Sequence, residues 1–197
     1  ATYTDETSGI DTDAVILTVN GTDVTPQTDL TETGITYTPA EAYPEGNVSF
    51  TLIAADKAGN SSEQSASFTV DTTPPEITNL TPANGSVLNN AAPLFIADFS
   101  DATSGIDTNS ATITLDTQSI TASVSETGFS YTPAQPLTEG AHTLTVNITD
   151  NAGNTQTAET TVTIDTTAPG EVIGFAVEAG DSQITLSWTN PSTDDFV

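Results

Sequence analysis

The residues able to do chemistry in this sequence are almost all carboxylates. Among 197 residues there are 27 Asp+Glu, one His (His142) and one basic residue (Lys57), with no Cys or Met and a net charge of −26. One histidine and no cysteine cannot build a zinc site of the ordinary Cys/His type. A Ser-His-Asp or Cys-His engine would have to use His142 or do without histidine. Carboxylates alone leave two options: the paired acids of a glycosidase, or oxygen ligation of a hard cation such as Ca²⁺. The acids fall in short turn-like strings, Asp71-Thr-Thr-Pro-Pro75, Asp101-Ala-Thr-Ser-Gly-Ile-Asp107 and Asp150-Asn-Ala-Gly-Asn154.

Other chemical lookalikes have plainer readings. His142 shares parity with Leu144, Val146 and Ile148, as a residue at the mouth of a core would. Gly180-Asp-Ser182 mimics the start of an esterase motif but has no partner histidine. Trp188 could stack on a sugar or fill a core. Asn-x-Ser/Thr sequons stand at Asn20, Asn47, Asn60, Asn79, Asn84 and Asn147; Ser/Thr richness would scatter roughly three or four, so both glycosylation and chance stay open. The missing cations argue against nucleic acid and against an anionic membrane surface. No run of 18 apolar residues offers a membrane span, and ATYTDETSG does not read as a signal peptide.

The elements that must position the acids come from an internal repeat. Asp5-Glu-Thr-Ser-Gly-Ile-Asp11 recurs at Asp101–Asp107, an offset of 96. Gly34-Ile-Thr-Tyr-Thr-Pro-Ala40 recurs at Gly128–Ala134, an offset of 94. Glu45-Gly46 matches Glu139-Gly140, Asp56–Asn60 matches Asp150–Asn154, and Asp71–Pro75 matches Asp165–Pro169. The second copy runs complete over 73–167. The first, 1–72, starts where the second has Ala97 and so lacks its opening strand. The chain therefore reads as a segment of a longer protein.

Period-two alternation in the complete copy predicts strands at Glu76–Leu80, Leu94–Phe99, Ala111–Asp116, Ser119–Ser123, Gly128–Thr132, His142–Thr149 and Thr160–Asp165. The side chains expected inside are Ile77, Leu80, Phe95, Ala97, Phe99, Ile113, Leu115, Phe129, Tyr131, Leu144, Val146, Ile148, Val162 and Ile164. The first copy fills the same slots with Tyr3, Leu17, Val19, Ile35, Tyr37, Phe50, Leu52, Ala54, Phe68 and Val70. Seven short strands in about 95 residues predict an all-β chain of tandem immunoglobulin-like antiparallel β-sandwiches.

That topology gathers the acids. The loop after the second strand, the loop between the last two strands and the incoming linker all reach one pole. Asp71, Asp101, Asp107, Asp150, Asn151 and Asn154 should meet there, with Pro44-Glu45-Gly46 of the first copy pointing at the same junction. Carboxylates crowded without a cation repel, and calcium bound by Asp71, Asp101, Asp107, Asp150 and Asn154 is one resolution. The alternative is separate turn chemistry, with the acids solvated and apart. The Pro-Pro and Ala-Pro linkers should limit bending.

The ordered set D-x-T-S-G-I-D, G-[IF]-x-Y-T-P-A, E-G, D-x-A-G-N and V/I-D-T-T-x-P resembles the bacterial Ig-like repeats of surface proteins and adhesins over residues 1–169. The tail, 168–197, with Gly180–Trp188 and Pro191, is similar to the first two strands of a fibronectin type III domain. The resemblance implies extracellular display on a bacterial cell surface, tandem arrays and structural or adhesive work without catalysis. The expected function is a non-enzymatic stalk or filament segment. The alternatives are a module binding a glycan or protein on another surface, or accessory domains of a secreted hydrolase. Expected partners are neighbouring Ig-like domains of the same chain. The incomplete ends should be covered by flanking chain or, as a second route, by self-association.

Overall fold

The computed structural model describes residues 1–189, leaving Pro191 of the tail motif outside the described residues. The first copy forms β1 (Ile10–Val19), β2 (Thr22–Asp23), β3 (Thr28–Thr31), β4 (Gly34–Tyr37), β5 (Gly46–Asp56) and β6 (Ser61–Val70). The second forms β7 (Glu76–Thr81), β8 (Val87–Leu88), β9 (Phe95–Ser100), β10 (Ile106–Leu115), β11 (Gln118–Ser119), β12 (Ser123–Ser125), β13 (Gly128–Tyr131), β14 (Gly140–Asp150) and β15 (Thr155–Ile164). The tail is a hairpin of β16 (Ile173–Gly180) and β17 (Gln183–Thr189). By compactness the chain divides into two units. One is Ala1–Glu76 with Phe99–Ala111 and Asn147–Gln156; the other is Ile77–Asp98 with Thr112–Val146 and Thr157–Val197.

The second copy has the two sheets an immunoglobulin-like sandwich requires: β11-β10-β14-β15-β8 and β12-β13-β9-β7. Its alternating positions are closed to water. Phe95, Leu144, Val146, Ile148 and Val162 are all 0% exposed, and Ala97, Phe99, Ile113, Leu115, Phe129 and Ile164 are buried too. Ile77, Leu80 and Tyr131 are only half-buried.

Strand limits depart from the alternation where the backbone is irregular. β10 begins at Ile106, not Ala111, and burial does not alternate over its first residues. Ser110 Oγ donates to the Asp107 carbonyl (2.7 Å) and accepts from Thr149 N–H (2.9 Å), standing in for a ladder bond. In β1 the register shifts between Asp11 and Ile16, and such an irregularity erases the period-two signal. β15 begins at Thr155, not Thr160; its first residues are mostly exposed and polar. The expected strand Ser119–Ser123 is two pieces, β11 and β12, that belong to different sheets.

The first copy is open by comparison. Among the described residues, its sheet β2-β1-β5-β6 is accompanied by the pair β3-β4 and a bridge from Thr2 to Gly34. Leu17, Val19, Ile35 and Val48 are buried, but Phe50, Leu52 and Ala54 are partly so. Phe68, expected inside, is 46% exposed. It stacks on Phe50 at 5.7 Å between ring centroids. Among the described residues nothing covers it, whereas the equivalent position in the second copy, Val162, is completely buried. A cleft of about 470 Å³ lined by Leu17, Ile35, Phe50, Leu52 and Ala66 remains.

One glycine fixes how the second copy's smaller sheet closes. Gly128 has φ +151, and a Cβ there would lie 2.2 Å from the Ala97 carbonyl oxygen on β9. Gly128→Ala should therefore destabilise by about 1–3 kcal/mol as the β13–β9 pair is forced apart. Chemical denaturation of the single variant checks this.

Candidate metal centre

The motifs first build their own turns. Asp101 Oδ1 accepts from the backbone N–H groups of Thr103 (3.2 Å), Ser104 (2.9 Å) and Gly105 (2.6 Å). Gly105 can turn its N–H inward because it sits at φ +80. Asp150 Oδ1 accepts from Ala152 N–H (2.8 Å) and Asn154 N–H (2.9 Å), and its Oδ2 from Asn154 Nδ2 (2.7 Å). The first copy repeats both frames. Asp5 Oδ1 takes the N–H groups of Thr7, Ser8 and Gly9, and Asp56 takes those of Ala58 and Asn60 with the Asn60 amide. These hydrogen bonds follow from D-x-T-S-G and D-x-A-G-N wherever they occur, with or without an ion.

What the second copy adds is a third acid from the linker. Asp71 Oδ1 accepts from Thr73 N–H (3.1 Å) and its Oδ2 from Ser104 N–H (3.1 Å). The Asp71 carbonyl accepts from Asn154 Nδ2 (3.1 Å). Ser104 N–H is thus shared between Asp71 and Asp101. Carboxylate oxygens of Asp71, Asp101 and Asp150 lie within 4.8 Å of one another. All of these residues belong to the first compact unit.

The electrostatics are one-signed. Asp150 is 2% exposed. Burial would push its carboxyl up, but the Asn154 amide and the backbone N–H groups outweigh it and hold it below the ordinary 3.8. Two carboxylates at this separation repel by about 3 kcal/mol at an effective dielectric near 20. The chain's one Lys, Lys57, lies in the first copy's β5–β6 turn. Oxygen donors with excess negative charge and no thiolate or imidazole suit a hard divalent cation and not a soft one.

Of the five residues expected as ligands, Asp71, Asp101 and Asp150 converge. Asp107 does not join them; its Oδ1 accepts from Asn109 N–H (3.0 Å). Asn154 is at the cluster but turns its amide nitrogen to it, donating to both Asp150 and Asp71. Asn151 Nδ2 donates to the Ser104 carbonyl (2.8 Å) and braces the same loop. Sequence reasoning missed Ser104, whose contribution is a backbone N–H and leaves no residue-type signal. It also missed how the linker is gripped. Glu45 Oε1 accepts from Thr72 N–H (3.1 Å), Thr72 Oγ1 (2.7 Å) and Thr73 Oγ1 (2.6 Å). Glu139 holds Thr166 in the same way. The paired recurrence of E-G and D-T-T at a constant separation was the available signal.

Two β-sandwich repeats, each with acid-anchored turns at one pole and a glutamate gripping the outgoing D-T-T linker, define a tandem immunoglobulin-type array. The sequence profile of the bacterial Ig-like domain matches residues 2–72 and 81–166. The chain belongs to that family. No curated protein matches the sequence. Among solved structures, the fibronectin(III)-like modules of Clostridium thermocellum CbhA are 14% identical over 82% of this chain and 82% of theirs, with a TM-score of 0.38. An I-band fragment of titin is 16% identical over 80% of this chain and 56% of its own, with a TM-score of 0.48. Dimeric latent PorU from Porphyromonas gingivalis is 18% identical over 82% of this chain but only 20% of that one, with a TM-score of 0.42. No helix among the described residues is long and apolar enough to cross a membrane.

Proposed function

We propose that this chain is a segment of a non-enzymatic extracellular stalk or filament on a bacterial surface, with calcium held at Asp71, Asp101 and Asp150. Bacterial Ig-like domains are typical of surface proteins and typically carry no catalysis. The observation that carries the reading is the linker. Asp71 is hydrogen-bonded into the loops of the following repeat through both its carboxylate and its carbonyl, and Pro75 is fully buried. A linker spent on such contacts resists bending, which a spacer needs and a freely jointed binding module does not. Both repeats use the same turn frames, and neither carries an enlarged aromatic loop of the kind a recognition site needs. The two-strand tail is similar to the opening of a fibronectin type III domain.

Single-molecule stretching of the chain between flanking handles tests this. The expected trace has discrete unfolding events for the repeats and a higher force in Ca²⁺ than in chelator. Saturable glycan binding abolished by one loop substitution would overturn the stalk reading. So would polysaccharide hydrolysis abolished by changing one acid pair.

A further inference from the structure

His142 is the only histidine of the chain and is 8% exposed. Both its ring nitrogens face acceptors. Nδ1 lies 2.6 Å from Asp116 Oδ2, and Nε2 lies 2.8 Å from the Thr138 carbonyl oxygen. A neutral imidazole carries one N–H and can satisfy one acceptor only. Both contacts are hydrogen bonds only when the ring is an imidazolium. Asp116 is itself pinned, because its Oδ1 accepts from Thr143 N–H at 2.9 Å. Thr138 leads directly into Glu139, which grips Thr166 of the outgoing linker.

The first copy is a built-in control. Val48, 1% exposed, occupies the position of His142. Asn20, at φ 49, occupies that of Asp116, at φ 50. Asn20 Oδ1 accepts from Ser49 N–H (2.8 Å), as Asp116 does from Thr143. The turn and its backbone anchor are thus kept without a titratable pair, so the anchor does not explain the histidine.

We propose that His142 is a proton-operated clamp peculiar to the second repeat. Protonated, it ties the β10–β11 turn to the loop ahead of β14 and so steadies the glutamate that holds the outgoing linker. Deprotonated, it faces the Thr138 carbonyl with a lone pair and lets that loop go.

Among the described residues, the Asp116 carboxylate is the only charged group bonded to the ring. The loop's one acid, Glu139, is engaged with Thr166, and no Lys or Arg exists in this copy. Burial pulls the imidazole down, but the Asp116 carboxylate and the Thr138 carbonyl raise it above its ordinary 6.5. A raised value means that the stabilisation is complete below pH 6.5 and is lost as pH climbs through the folded-state value. Cysteine is absent, and Asp, Glu, Tyr and Lys ordinarily titrate outside pH 6–9. The comparison with His142→Val isolates the histidine's share of any change in that window.

The test is NMR titration of the His142 ring and thermal melting from pH 6 to 9, on the whole chain and on the His142→Val and Asp116→Asn variants. Both variants install the first copy's own residue. The expected results are two protonated ring nitrogens at pH 6.5 and a titration midpoint above that of free histidine. Melting temperature should fall with rising pH relative to His142→Val, and Asp116→Asn should lower the midpoint. A wild-type midpoint at or below 6.5 would overturn the clamp. So would pH–melting curves of the same slope in wild type and His142→Val. Should His142→Val fail to fold, an unchanged midpoint in Asp116→Asn overturns it equally.

Discussion

Calcium is expected to raise the melting temperature of this chain, and neutralising Asp101 or Asp150 is expected to remove most of the rise. Three carboxylates within 4.8 Å repel until a cation joins them. A dication converts that repulsion to attraction. The affinity should be modest, on the order of 10⁻⁴–10⁻³ M as in other extracellular modules. The ligands come from three separate segments, and several of their lone pairs already accept backbone N–H groups. Binding to the folded form alone adds about 2.7 kcal/mol at a hundredfold excess over Kd, roughly 10 °C or more for a repeat of this size. Asp101→Asn is the cleanest variant, since it keeps the acceptor oxygen for the turn and loses only charge; Asp150→Asn also gives up the bond that Oδ2 accepts from Asn154 Nδ2. Alanine would also strand the N–H groups of residues 103–105 or of 152 and 154. Calorimetry with and without chelator is the measurement. Superimposable melts would mean that the acids serve only to anchor their turns, the role whose hydrogen bonds Asp5 and Asp56 repeat in the first copy.

The second large effect is expected from the core, and it should divide the two repeats. Phe95→Ala removes a side chain that is 0% exposed and should cost about 3–5 kcal/mol. Phe68→Ala, at a position the sequence marks as equally internal, removes one that is 46% exposed and should cost about 1 kcal/mol or less. Denaturation of each variant, followed by Trp-independent probes such as far-UV circular dichroism, reads the difference. Equal losses would mean that the first copy's aromatic cluster of Tyr43, Phe50 and Phe68 is as enclosed as the second copy's core.

Alternation made the sandwich legible because the inward slots of β9, β13 and β14 hold Phe, Leu, Val and Ile at strict period two. It failed at 106–110 and 155–159 for opposite reasons. In the first stretch the alternation is interrupted where Ser110 Oγ takes the place of a backbone partner for Thr149 N–H. In the second, the strand is too exposed to need apolar residues. It also could not tell that Phe68 lacks a cover, since burial there depends on a layer opposite and not on β6 itself. The convergence of Asp71, Asp101 and Asp150 followed from topology alone, because strand order decides which loops share a pole. Topology could not separate Asp107, whose carboxylate is diverted to Asn109 N–H. Nor could it orient the Asn154 amide, which geometry at the atomic scale decides.

The five-stranded sheet of the second copy ends on β11 and β8, each only two residues long. Repeats held on one chain face each other at millimolar effective concentration, and these two carry the same apolar pattern. A long free edge would let one repeat's backbone zip onto its neighbour's. The two-residue borders cover only the ends of β10 and β15, and β6 of the first copy is a ten-residue outer strand, so it is the Ser, Thr, Gln and Glu side chains along these edges, and not their length, that must keep neighbouring modules from cross-pairing.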